Sequence, residues 1–257
     1  MIDIAALSMD YWDDLMVRMA HHSTAIEGNT LSQGDTKSLL LDGYIPRAMD
    51  LREMHEVLNY KRFMDFLQQS LARERALSLG FIKEVHAVLC KDAIEDVAGR
   101  ITKLKEAGSP DGGRIFLYRG SRDGVADTIR YLETQCVLVR GVPGSPAGNV
   151  RPQGMGEMLA AQLAAAKSAE DKIAAICRQH IRFERIHPFS DGNGRVGRAL
   201  IVYSCLQEKE APIVIPVEER KRYMNVLNTE DLQGFVAFAK ELQKEEEERL
   251  QVFLQKN

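Results

Sequence analysis

Apolar positions recur every three or four residues along most of the chain, a period that predicts helices rather than sheets. Leu15, Met16, Met19 and Ala20 share one face of a helix over residues 8–26, which ends near Gly28. Ser32 suits the N-cap of a short helix that stops around Gly43. A longer helix is expected to open at Pro46, with Met54, Val57, Leu58, Phe63, Phe66 and Leu67 inward. Phe81, Ile82, Val85, Val88 and Leu89 predict another over 78–90. Further helices are expected at about 125–139, twice within Met155 to Glu184, and from about Arg195 to Glu208. The chain closes on an amphipathic helix at 231–255, whose run Glu245 to Glu248 reads as a solvated face.

The period changes at Gly99. Residues 99–124 hold six glycines and one proline among Ile101, Leu104, Ile115, Phe116, Leu117 and Tyr118. The turn-forming run Ser109 to Gly113 separates two short apolar stretches, which predicts a β-hairpin or flap. The Gly/Pro-rich stretch Gly141 to Pro152 reads as a surface loop within one domain. Pro212 and Pro216 bracket a short extended segment. No internal repeat is visible. The expected architecture is all-α with one small hairpin. It divides into an N-terminal helical region (1–77), a core domain (78–230) and a C-terminal helix (231–257).

Composition narrows the class. The 257 residues are 45% apolar and 28% charged, the balance of a soluble globular protein. The net charge of −3 argues against a generic nucleic-acid coat and leaves room for a local basic site. Cys90, Cys136, Cys177 and Cys205 form no CxxC pair, so buried free thiols are expected. No apolar run is long enough to span a membrane. Met1 to Asp10 lacks the basic start of a signal peptide. A cytoplasmic protein with neither nucleic-acid nor membrane partner is expected.

The segment that carries chemistry is His187-Pro188-Phe189-Ser190-Asp191-Gly192-Asn193-Gly194-Arg195-Val196-Gly197-Arg198. Pro188 ends the preceding helix, and the glycines permit a tight turn and close approach to a ligand. A helix starting at about Arg195 directs its positive end at the same space, which makes an anion site. Arg195 and Arg198 fall on one face and suit a polyphosphate. Asp191 offers a hard oxygen for Mg²⁺, and His187 a base near neutral pH. The plainer reading is a Gly-rich turn with surface arginines. The whole set favours phosphoryl or nucleotidyl transfer. No Walker loop occurs.

These residues resemble the Fic-domain signature, HxFx(D/E)GNGRxxR, at every fixed position from His187 to Arg198. The resemblance implies a Fic-type helical bundle with a flap beside the active site, spanning about 78–230. It implies transfer of AMP from ATP to a Tyr, Thr or Ser hydroxyl of a protein. His187 would be the base and Asp191 the Mg²⁺ ligand. Gly192, Asn193 and Gly194 would cradle the α- and β-phosphates, Arg195 and Arg198 would bind the outer ones, and Phe189 would anchor the loop.

Ser23, Glu27 and Gly28 can be a simple helix terminus. They also resemble the family's inhibitory motif, (S/T)xxxE(G/N), which implies that Glu27 pairs with Arg198 and keeps ATP out of its productive pose. The same glutamate could position water for removal of AMP, so a deAMPylase or a bifunctional enzyme is the alternative. A nucleotide-sensing module without transfer is a further one, against which the intact His187 argues. The flap residues Ile115, Phe116 and Leu117 would dock a target segment. Tyr223 is either an adenine contact or a core tyrosine. His21, His22, His55 and His86 lack metal-ligand spacing and read as structural or surface residues; His180 reads as a packing or hydrogen-bonding group. The apolar stripe before residue 70 is either core or the face of a homo-oligomer.

Overall fold

A computed structural model describes residues 2–44, 48–91, 102–108, 114–119, 155–186, 189 and 191–255. Pro46, Cys136, His187, the helix expected at 125–139 and the whole 141–152 connector lie outside the described residues.

Side-chain caps set several helix starts. Helix α1 (Met9–Ile26) begins where Ser8 Oγ accepts the Tyr11 N–H at 3.3 Å. Helix α2 (Gln33–Lys37) opens on a reciprocal cap between Ser32 and Asp35 and runs into a π-helical turn, Ser38–Asp42, that stops at Gly43. Helix α3 spans Leu51–Ala72, so it starts later than the expected opening at Pro46. The reason is Asp50, whose carboxylate accepts the N–H groups of Arg52 and Glu53. Ser78 caps α4 (Leu79–Leu89).

Strands β1 (Thr102–Gly108) and β2 (Arg114–Arg119) pair antiparallel, with Lys105 opposite Leu117 and Glu106 opposite Phe116. Helices α5 (Met155–Ala165) and α6 (Ala169–Ile186) follow. Helix α7 (Asn193–Gln207) starts two residues before the expected Arg195. An unpredicted helix, α8 (Arg220–Thr229), precedes α9 (Leu232–Leu254).

Helix α7 is the axis of the fold, buried without a break from Arg195 to Leu206. Helices α1, α3, α4 and α6 pack around it. One hydrophobic core runs from Tyr11 to Leu250 and draws on all three regions distinguished in the sequence. Cys90, Cys177 and Cys205 are free and buried in it; burial pushes the Cys90 and Cys177 thiols up to about 12, so they stay protonated.

The acidic run near the end of the chain is not wholly a solvated face. Glu245, Glu247 and Glu248 are exposed, but Glu246 is 4% exposed. It accepts the Tyr11 hydroxyl at 2.7 Å and both terminal nitrogens of Arg18 at 2.8 Å. Its phase explains this: Leu242, Glu246 and Leu250 follow one another at four-residue steps along the buried side of α9. The pair fastens α9 to α1.

Candidate active site

Two helix ends meet at the motif. The first is the start of α7. Gly192 takes a left-handed backbone (φ +79°), so the helix begins directly after it. No side chain caps this helix, and its first ladder bond is from Val196 N–H to the Gly192 carbonyl at 2.9 Å. The N–H groups of Asn193, Gly194 and Arg195 therefore have no partner within the helix and present its positive end. Asn193 contributes only its backbone to that space. Its side chain turns inward and clamps Phe189, accepting the Phe189 N–H at 2.8 Å and donating to its carbonyl at 2.6 Å. Phe189 is buried.

The second is the end of α1. Glu27 is its C-cap residue, and Gly28 (φ +104°) turns the chain away. The Arg220 Nε–H donates to the Ile26 carbonyl at 2.8 Å, and Asn29 donates to Glu56 at 3.0 Å, so the turn is held from both sides. Glu27 reaches the second motif arginine: Arg198 Nη2 donates to Glu27 Oε1 at 2.7 Å and to the Ser23 carbonyl at 2.9 Å, and Arg198 Nε donates to Ser23 Oγ at 2.9 Å. A Cβ on Gly194 would fall 2.1 Å from Glu27 Oε1, so the carboxylate stands directly over the first turn of α7. One glycine makes room for it. Ser23 and Glu27 of the expected second motif thus meet Arg198 of α7, and Gly28 makes the turn that follows α1.

The first motif arginine is placed differently. Arg195 is 2% exposed and lies 3.5 Å from Glu56 and 3.6 Å from Asp191; its Nε and Nη1 have no hydrogen-bond partner among the described residues. Asp191 is more open. Its Oδ2 accepts Arg52 Nη2 at 3.0 Å, and its Oδ1 accepts the Gly192 N–H at 2.6 Å. A single carboxylate beside a phosphate cradle fits Mg²⁺, which retains waters and takes further oxygens from the nucleotide. Among the described residues no three His, Cys, Asp or Glu groups gather as a protein-only metal site.

Behind Arg198 lies a buried polar layer. Tyr223, considered as an adenine contact, is in the core instead, 1% exposed. Its hydroxyl is hydrogen-bonded to His180 Nε2 at 2.8 Å, and its ring lies 5.9 Å from the Arg198 guanidinium carbon. Burial, then the Arg198 charge, lowers His180 to about 3, so it is neutral. Burial raises Glu184 to about 7 against the opposing pull of Arg198, with Glu27 adding to the rise. His21 and His22 serve structure: His21 Nδ1 lies 3.1 Å from the Leu31 carbonyl, and His22 Nδ1 accepts the Val217 N–H at 3.3 Å.

His187, expected as the base, lies outside the described residues. So do the side chains of Ile115, Phe116 and Leu117, whose backbone forms part of β2. Arg52, Glu56 and His86 border the site without being expected there. The available signal for Glu56 was a charge in phase with the apolar positions Tyr60 and Phe63 of α3. His86 and Arg52 carried none.

Known proteins are similar to this chain in sequence and in fold. Residues 76–205 match the sequence model of the Fic/DOC family. Among curated relatives, the protein adenylyltransferase fic-1 of Caenorhabditis briggsae is 27% identical over 226 residues, covering 85% of this chain and 38% of that protein. The protein adenylyltransferase Fic of Drosophila persimilis is 23% identical over 221 residues, covering 85% and 37%. The chain thus spans 38% and 37% of the lengths of these two relatives. A Fic domain containing signaling protein from Bacteroides thetaiotaomicron superposes with a TM-score of 0.67 at 19% identity, over 96% of this chain and 88% of that one. Fic-1 from Caenorhabditis elegans superposes at 0.64 with 22% identity, over 96% and 65%. Because the matched span is half of the chain and takes in α4, α6 and the loop and helix that bear the motif, this chain belongs to the Fic/DOC family.

Proposed function

We propose that this chain transfers AMP from ATP to a Tyr, Thr or Ser hydroxyl of a protein, and that Glu27 restrains the transfer. The observation that carries the reading is the Glu27–Arg198 bond laid over Gly194, beside the free amides of α7. An anion already occupies the place where a phosphate would bind, and an arginine suited to a phosphate is already spoken for. The names of the curated relatives, protein adenylyltransferases, supply the reaction class.

In this mechanism the amides of Asn193 and Gly194 receive the α- and β-phosphates. Arg198, once released from Glu27, meets the outer phosphate. Arg195, with two unsatisfied donors beneath the loop, steadies Asp191 and the phosphate charge. Asp191 would hold Mg²⁺, which neutralises charge on the leaving pyrophosphate. His187 accepts the proton of the target hydroxyl. The oxygen then bonds to the α-phosphorus, and the bond to the β-phosphate oxygen breaks. A target segment would pair as an added strand along Ile115, Phe116 and Leu117 of β2.

The test uses α-³²P-ATP and Mg²⁺ with wild type, Glu27→Gly and Glu27→Gly/His187→Ala, followed by autoradiography of the protein and of added lysate. Label is expected from Glu27→Gly and not from the double variant. Equal labelling by wild type and Glu27→Gly would overturn the restraint by Glu27. No label from any variant, with ATP binding intact, would turn the assignment toward AMP removal.

A further inference from the structure

Helix α4 reaches the motif loop at three points. The ring of His86 stacks on Phe189 with centroids 3.8 Å apart and planes 15° from parallel. His86 Nε2 lies 3.1 Å from the Asp191 carbonyl oxygen, 105 residues along the chain. Four residues beyond His86, Cys90 closes the floor: a Cβ on Gly192 would fall 2.3 Å from its sulfur.

The second contact has a geometric consequence. The Asp191 carbonyl and the Gly192 N–H belong to one planar peptide unit and point in opposite directions. His86 holds the carbonyl edge of that plane. The N–H edge donates to Asp191 Oδ1 at 2.6 Å. Fixing the carbonyl therefore fixes the N–H, and the N–H orients the carboxylate. The stack on Phe189 acts separately, on the residue that Asn193 clamps by its backbone. The left-handed turn at Gly192 starts α7, so the same peptide also sets the direction of the amides that follow.

We propose that His86 is a positioning residue for the nucleotide loop, holding the 191–192 peptide plane and through it the Asp191 carboxylate. This rests on the reading that the loop takes a Mg²⁺-bound nucleotide. The N–H contact and the stack separate by substitution. His86→Phe keeps a flat ring against Phe189 and removes the donor. His86→Gln keeps an N–H at similar reach and removes the ring.

Both variants are made in the Glu27→Gly chain and read three ways. Amide hydrogen exchange over residues 189–192 should quicken in His86→Phe and recover in His86→Gln. The half-saturating Mg²⁺ concentration for AMP transfer should rise several-fold in His86→Phe. Its kcat should fall by about tenfold, the scale expected when a group that orients a metal ligand is lost, while KM for ATP at saturating Mg²⁺ stays within about twofold. Unchanged exchange over 189–192, faster exchange with unchanged kcat, or equal losses in both variants that follow a fall in Tm would each overturn the proposal. If the Glu27→Gly chain transfers no label at all, the AMP-transfer reading fails by itself, and the exchange measurement still decides whether His86 holds the peptide.

Discussion

Removing Glu246 tests how strongly α9 holds α1. Its carboxylate receives three hydrogen bonds in the core, from Tyr11 and from both terminal nitrogens of Arg18. Glu246→Ala leaves the Tyr11 hydroxyl unpaired where the residue is 0% exposed, and leaves Arg18, 5% exposed, with Asp14 as its principal remaining counter-ion. Breaking one side of a buried ion pair costs about 3–5 kcal/mol, because the other charge stays desolvated. In a domain of this size each kcal/mol moves Tm by roughly 2–4 °C, so a fall of about 6–20 °C is expected. The assay is thermal unfolding by circular dichroism, checked by urea titration with m compared between chains. Glu247→Ala, one residue on and exposed, is the control and should stay within about 0.5 kcal/mol of wild type. Arg18→Met/Glu246→Leu, which removes both charges, should be more stable than Glu246→Ala alone. A Glu246→Ala chain that melts with the Glu247→Ala control would refute the argument.

Two other outcomes follow from the layer behind Arg198. The folded pKa of Glu184, about 7, lies above its ordinary value of 4.5, so its proton stabilises the fold fully below about pH 4.5, and that contribution is lost as pH rises through 7. The difference corresponds to about 3 kcal/mol, and Glu184→Gln, which stays neutral, should gain on wild type in Tm between pH 5 and pH 8; a gap that does not change with pH would refute this. Tyr223→Phe should cost about 1–3 kcal/mol by leaving buried His180 unpaired, with ATP affinity by calorimetry unchanged; a large loss of affinity at constant Tm would return Tyr223 to the nucleotide.

The sequence by itself determined most of the helices, because their apolar spacing and their caps are local. Ser32 caps where expected, and α4 falls within the expected 78–90. The motif from His187 to Arg198 was legible for the same reason: its glycines, arginines and carboxylate are consecutive, and their chemistry follows from order alone. Even the pairing of Glu27 with Arg198, 171 residues apart, was expected through the resemblance of two short motifs.

Only the tertiary structure decided which polar groups are buried and what faces them. Glu246 shares the phase of Leu242 and Leu250, but only the position of Tyr11 and Arg18 on another helix shows what pairs it there. Asn193 was expected to cradle phosphate, yet its amide side chain is taken up by Phe189. Tyr223 had two readings until His180 and Arg198 were found on either side of it. His86 and Arg52 carry no signature because their roles depend on contacts made across 105 and 139 residues of chain. A helix period records which side of a segment leaves water. It does not record which partner waits there, and a buried charge or hydrogen bond is stable only when that partner is in place.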